Sequence, residues 1–283
     1  MAIHWGGPQS IEELYMKNRK HVLAVAGLML LGLLSPVTSF AADPSPTPSA
    51  SASAKAEDPN AFDVSQAVKK AKAKGCNIKV KGNCSKKKMA GFDFSEMDLT
   101  GMNFSGTDLT KAIFTEATLD KANFSGANLT GADLSDVQSA KGANFSNAAM
   151  RGANLDSGNF DGANFNKSKA SRTNLANATF VRASGSNVDF SFAILEATDF
   201  SQASFKNANF SNATGADPIF ENAQLVGANF KGSKMTSPVF SGANLKSADM
   251  TNSAIRLADL DESDFCGATL YDGFTADDDC TNA

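Results

Sequence analysis

Ala122-Asn-Phe-Ser-Gly-Ala-Asn-Leu-Thr-Gly-Ala-Asp-Leu134 carries three large apolar residues, Phe124, Leu129 and Leu134, spaced five apart. Each follows an Asn or Asp, and an Ala stands one place before that. Working outward, the rhythm runs back through Leu119, Phe114, Leu109, Phe104 and Leu99 to Phe94. It resumes at Phe145 and continues to Leu270. With Ser139 taken as a degenerate member there are 36 such positions, and Leu, Phe, Met or Ile fills 32 of them. The exceptions are Ser139, Ala170, Gly185 and Gly215, so the period belongs to the whole segment and not to a local motif.

Five matches neither regular period. An α-helix rotates every fifth residue by about 140° and would scatter these side chains around its cylinder. A strand would send successive members to opposite faces. The pattern is met when the chain turns a corner in every unit, so that the large residue and the Ala two places earlier point inward together. The Asn or Asp, the Ser or Thr and the Gly or Asn then lie outside or at the corner, where they tolerate tight-turn backbone angles. Phe160, Phe180, Phe200, Phe220 and Phe240, then Leu260, recur at twenty residues, as do Leu155, Leu175 and Leu195. That recurrence predicts columns, each large side chain contributing roughly 1.5–3 kcal/mol on burial. Gly142, in Val137-Gln-Ser-Ala-Lys-Gly142, is expected to be one inserted residue absorbed by a bulge. Gly185 and Gly215 are expected to be filled by their neighbours or to leave small voids.

The unit Ala-(Asn/Asp)-(Leu/Phe)-x-x resembles the pentapeptide-repeat family over Phe92 to about Leu270. The resemblance implies an all-β fold, a right-handed quadrilateral β-helix with four pentapeptides per coil. Thirty-six units make about nine coils, a rod about 43 Å long at the ~4.8 Å strand spacing. A solenoid exposes its last coil at each end and needs caps there. Asp63–Lys74 is dense in Ala and Lys, with Asp63 as N-cap and Gly75 as stop, and predicts a short helix in an N-terminal cap over 62–91. Cys76 and Cys84 fall in that cap, while Cys266 and Cys280 flank the last repeat beside the acidic end 271–283. Four cysteines allow three pairings. Nine implied coils between the two pairs favour Cys76–Cys84 and Cys266–Cys280.

Upstream, basic Met16–His21, the thirteen-residue apolar run Val22–Leu34 and small-residue Ser35–Ala42 predict a signal peptide over 1–42. A natural start at Met16 would account for residues 1–15. The run is shorter than the ~20 residues of a membrane span, so no transmembrane segment is expected after cleavage. Residues 43–61, rich in Pro, Ser and Ala, predict a flexible linker. The implied compartment is the bacterial periplasm, or the thylakoid lumen of a cyanobacterium, where paired cysteines persist.

Both histidines, His4 and His21, lie within 1–42, which leaves the rest of the chain without a Ser-His-Asp or Cys-His arrangement. No Gly-rich loop with Lys cradles phosphate. No catalytic residue, metal ligand or cofactor is expected. Residues 43–91 carry ten Lys against four Asp/Glu, and 92–270 carry thirteen Lys/Arg against twenty Asp/Glu. Lys86, Lys87 and Lys88 offer a weak contact to an anionic membrane or polymer, against the plainer reading of a solvated face. The function expected is a non-catalytic exported scaffold that binds protein partners and no nucleic acid. The alternative comes from the resemblance: some pentapeptide-repeat proteins mimic duplex DNA and inhibit gyrase.

Overall fold

The structure, a computed structural model, describes residues 63–271, 273, 275 and 276. The signal peptide and linker expected over 1–61 lie outside the described residues, as does Cys280. No helix among the described residues is long and apolar enough to cross a membrane.

Helix α1 spans Val64–Ala73. The Asp63 carboxylate caps its N-terminus, accepting from the amides of Ser65 at 2.9 Å and Gln66 at 3.2 Å. At the other end Cys76 N–H donates to the Ala71 carbonyl and Gly75 N–H to that of Lys72, with Gly75 at φ 72°. This is the Schellman arrangement, for which glycine is favoured because it has no Cβ to clash in the left-handed region. Ala67 and Ala71 face the core.

From Asn83 onward the chain pairs with itself in parallel at twenty-residue register, as in Asn83↔Asn103, Asp93↔Ile113 and Asn164↔Ser184. The ladder therefore starts inside the segment read as the cap, with Cys84 and Met89 already fully buried in inward places. Four pentads complete each register step, and they define four strips along the helix. Strip 1 runs through Phe104, Phe124 and Phe145; strip 2 through Leu109, Leu129 and Met150; strip 3 through Phe114, Leu134 and Leu155; strip 4 through Leu119 and Phe160.

One pentad shows how the amides are used. Phe124 N–H donates to the Asn144 carbonyl of the next coil at 2.7 Å, and Asn123 N–H to the Met102 carbonyl of the previous one at 2.8 Å. Gly126 N–H reaches the Ser146 carbonyl of the next coil at 2.9 Å, and Ala127 N–H closes the corner on the Phe124 carbonyl at 2.9 Å. The fifth amide, Ser125 N–H, has no backbone partner here. It donates to the Asn123 side-chain oxygen at 3.0 Å. The same bond recurs from Ser95 to Asp93, Ser105 to Asn103 and Thr251 to Asp249.

At four places where Ser or Thr replaces the Asn or Asp, a side chain of the preceding coil supplies the acceptor. Lys141 N–H donates to Asp120, Val181 N–H to Asp161, Ser186 N–H to Asn166 and Ala216 N–H to Glu196, at 2.7–3.0 Å. The residues that would otherwise accept these amides are Ser139, Thr179, Ser184 and Thr214.

The one register slip lies at 137–140. Thr118 pairs with Ser139 and Asn123 with Asn144, twenty-one residues apart. Gln138 N–H donates to the Ala117 carbonyl at 3.1 Å and Ala140 N–H to the Asn159 carbonyl at 2.8 Å. Gln138 and Ser139 thus occupy the span that one residue fills elsewhere, a β-bulge. This corrects the expectation for Ser139 and Gly142. Ala140 is the inward residue and fully buried, Ser139 is only half-buried, and Gly142 stands at an ordinary corner with φ 68°. An alanine methyl suits the core, whereas the Ser139 hydroxyl finds the Asp120 carboxylate outside it.

Strands β1 (Thr214–Ala216), β2 (Lys234–Thr236) and β3 (Ala254–Arg256) pair in parallel in strip 3. After β1 and β2 the corner residues are Pro218 and Pro238, which lack the N–H that closes other corners.

The interior is a stack of phenylalanines. In strip 1 Phe104, Phe124, Phe145 and Phe165 lie ring on ring at 4.9–5.0 Å. In strip 4 Phe160, Phe180, Phe200, Phe220 and Phe240 do so at 5.0–5.3 Å. Rings also meet edge-on through the core, Phe104 with Phe114 and Phe210 with Phe220, linking strip 1 to 3 and strip 2 to 4. At Gly185 an added Cβ would overlap the Phe205 ring edge, so that ring fills the place as expected. At Gly215 an added Cβ would lie 2.6 Å from the Leu195 carbonyl carbon, so the neighbouring coil closes in.

Asp161 looks like a surface charge, yet it holds the Val181 amide of the next coil. Asp161→Ala is expected to lower stability in urea by about 1 kcal/mol, while Asp161→Asn, which keeps the acceptor, stays near wild type. Equal stability for both variants would refute the role.

Candidate interaction surfaces

The inward positions are occupied by side-chain packing, so chemistry with other molecules falls to the outer strips and corners. Of the expected site residues, Cys76 and Cys84 are brought together, their Cα atoms 4.4 Å apart and both side chains buried at the join between α1 and the coils. That separation lies within disulfide reach. Cys266 sits in the last described coil, where its N–H donates to Asp264 at 3.1 Å. Its expected partner Cys280 is outside the described residues. Lys86, Lys87 and Lys88 are all exposed and lie at the start of strip 2.

Read along the ladder, the charges are sorted by strip. Between residues 92 and 270, strip 2 and the corners on either side of it carry eight Lys/Arg and three Asp. Lys111, Arg151, Lys167, Lys169 and Arg172 occupy the middle, and Lys206, Lys231 and Lys246 follow; all are exposed. Strip 4 with its two corners carries fourteen Asp/Glu and four Lys/Arg over the same residues. Along the corner between strips 3 and 4, Glu96, Glu116, Asp136 and Asp156 follow one another from coil to coil, and after Ala176-Asn177 come Glu196 and Asp217. Strips 2 and 4 are the pair whose rings meet through the core. The surface therefore has a basic side and an acidic side, of which the linear sequence gives no direct sign.

Much of the acidity is also structural. Asp93, Asp98, Asp108, Asp133, Asp189, Asp199, Asp249, Asp259 and Asp264 each accept the corner amide two residues on. The Thr100 hydroxyl and amide hold the Asp98 carboxyl below its usual range, and the Thr110 pair does the same for Asp108. Two ion pairs, Lys231–Asp249 at 3.0 Å and Lys246–Asp264 at 2.9 Å, span exposed corners. Such pairs contribute at most about 1 kcal/mol each.

Every corner ends in a residue with positive φ. Glycine takes this place twelve times among the described residues, but Lys, Glu and Asn also occur. Phe192 is the one aromatic there, at φ 59°. It stands at the corner between strips 2 and 3, 49 % exposed, with the Arg172 guanidinium 4.8 Å from its ring centroid. Ile194, 47 % exposed, is two residues on. Sequence reading passed over this group because Phe192 lies outside the five-residue rhythm.

The family profile "Pentapeptide repeats" matches in eight copies over residues 88–115, 98–136, 139–166, 159–202, 186–214 and 220–252, more than half of the chain. No curated protein matches the sequence. Among solved structures, HetL, a pentapeptide repeat protein involved in heterocyst differentiation regulation in the cyanobacterium Nostoc sp. strain PCC 7120, is 19 % identical. That match covers 76 % of this chain and all of HetL, with a TM-score of 0.39. The plasmid-mediated fluoroquinolone resistance protein QnrB1 is 23 % identical over 61 % of this chain and 88 % of its own, with a TM-score of 0.31. A pentapeptide repeat protein of the Arabidopsis thaliana thylakoid lumen is 34 % identical over 38 % of this chain and 67 % of its own, with a TM-score of 0.21.

The hydrogen bonds to Asp98 and Asp108 favour the ionised carboxylate, so the folded-state values lie below the unfolded ones. Their stabilisation is complete above about pH 4 and is lost as pH falls through the lowered folded values. Thermal unfolding followed from about pH 6 to pH 2 should show this loss. Asp98→Asn with Asp108→Asn, which keeps both acceptors but removes their titration, should lessen it, the rest coming from Asp63, Asp249 and Asp264, which are lowered too; an unchanged acid dependence would contradict the assignment.

Proposed function

Because the chain belongs to the pentapeptide-repeat family, we propose that it is an exported, non-catalytic scaffold, a right-handed quadrilateral β-helix of about nine coils that binds protein partners along its outer strips. The observation that carries this reading is the division of labour within each pentad. Inward residues are spent on ring stacking, and many polar residues are spent on amides, as with Asn123, Asp161 and Glu196. What differs from coil to coil is the exposed charge and the shape of the corners, which is where a scaffold distinguishes partners.

Export draws support from the order of Met16–His21, Val22–Leu34 and Ser35–Ala42. It also draws support from Cys76 and Cys84 at disulfide separation. In this reading residues 43–61 form the linker, 62–91 the N-terminal cap and 271–283 an acidic C-terminal cap, with Cys76–Cys84 and Cys266–Cys280 oxidised.

A second reading, a DNA-mimicking regulator of an enzyme such as gyrase, is favoured by the acidic corner from Glu96 to Asp217. Weighing against it, Asp98, Asp199, Asp161 and Glu196 on that side serve as amide acceptors, so these carboxylates are already engaged within the fold.

Intact mass of the natural protein recovered from fractionated cells tests the first reading. A species outside the cytoplasm that begins near Ala42 or Asp43 and gains the mass of four hydrogens on reduction is the expected result. A full-length, reduced cytoplasmic species would overturn it. A supercoiling assay then tests the second reading, with no inhibition of gyrase expected.

A further inference from the structure

We propose that strip 2, with Phe192 at its edge, is a docking face for an anionic lipid surface. Its cations are exposed, while its three carboxylates are already engaged. Asp108 accepts from Thr110, Asp189 from Ser191 and Asn209, and Asp249 from Thr251 and Lys231. Lys169 projects from the strip itself, and Lys167 and Arg172 from the corners on either side of it in the same coil. Arg151 lies one coil away, and Lys86 to Lys88 extend the same charge to the N-terminal end.

Phe192 supplies the second, independent observation. A bulky residue in the left-handed region is disfavoured, and the equivalent corners of the next three coils use Asn212, Gly232 and Asn252. Folding would be served better by Asn or Gly at 192, and burial gives no reason for a ring that remains half-exposed. The ring is held by Arg172 at 4.8 Å, and exposed Ile194 follows on the strip 3 side of the corner. A convex corner offers no pocket for a partner's anchor residue, but it can place an aromatic and an aliphatic side chain beneath a layer of anionic headgroups. The register of the ladder sets the flanking cations in two rows, one along each edge of the strip, which suits a flat charged layer. The acidic strip 4, on the far side of the core, would then face away from that layer. This inference does not rest on the scaffold reading.

The test uses the full chain in co-sedimentation with vesicles of phosphatidylcholine, alone or mixed with phosphatidylglycerol. Val22–Leu34 is common to every variant and cancels in the comparison. Preference for the mixed vesicles is expected, and Lys167→Glu with Lys169→Glu and Arg172→Glu should weaken that binding about a hundredfold. Lys141→Glu with Arg182→Glu, on the strip 4 side, should leave it within about twofold. Phe192→Asn, which suits the left-handed corner, should weaken binding while unfolding at the same or higher temperature. Phe192→Trp in a Trp5→Phe background, where residue 192 is the sole tryptophan, should show emission shifted to the blue on mixed vesicles. Equal binding to both vesicle types, equal losses from the two charge variants, or unshifted emission would each overturn the proposal. Binding to polyglutamate without binding to vesicles would overturn it in favour of an acidic protein partner.

Discussion

One amide in every five governs this molecule. Parallel coiling satisfies four N–H groups of each pentad through neighbouring coils and the corner bond, but the amide just after the inward residue turns outward where no carbonyl waits. An unpaired amide of this kind is costly when water cannot reach it freely. Asn or Asp one place before the inward residue answers it, as Asn123 does for Ser125. The repeating Asn/Asp is therefore a backbone requirement expressed through a side chain. The compensations at Asp120, Asp161, Asn166 and Glu196 show that the acceptor can come from the preceding coil as well as from the same pentad.

With the amides settled, the core has only to fill a channel of constant width, and it does so with some freedom. Phenylalanine occupies strips 1 and 3 in the early coils, as at Phe94, Phe104 and Phe114, and strips 2 and 4 later, as at Phe210, Phe220 and Phe230. Between them Phe160 and Phe165 meet at neighbouring strips, and the ring arrangement rotates without interruption of the ladder. Ala at the second inward place keeps room for the large rings. Where a strip runs short, as at Gly185, a ring from the next coil leans in.

The period of five and the columns at twenty were legible in the sequence because burial repeats strictly with them. The caps of α1 were legible because Asp63 and Gly75 are local signals. The bulge was misplaced at Gly142 because Val137-Gln-Ser-Ala offers no large residue to mark the inward place; pairing with Thr118 and Asn159 decides it, and that pairing is not local. The substitute acceptors escaped for the same reason, each lying about twenty residues from its amide. Sorting of charge by strip could be seen only after the register was known, including its extra residue at 138–139.

That sorting is not a by-product of folding. The corner amide is accepted as readily by Asn as by Asp, and strip 1 takes Asn at Asn103, Asn123 and Asn144 where strip 4 takes Asp at Asp98 and Asp199. The left-handed corner place accommodates Lys111 beside strip 2 and Glu116 beside strip 3 at nearly the same φ. Since the backbone accepts either choice, the fold leaves the charge at these places free. A consistent basic side and acidic side then give the β-helix a direction across its axis as well as along it, and any charged surface it meets will select one side. Phe192 points the same way: a residue poorly suited to its corner, retained on the basic side, has its reason outside the fold.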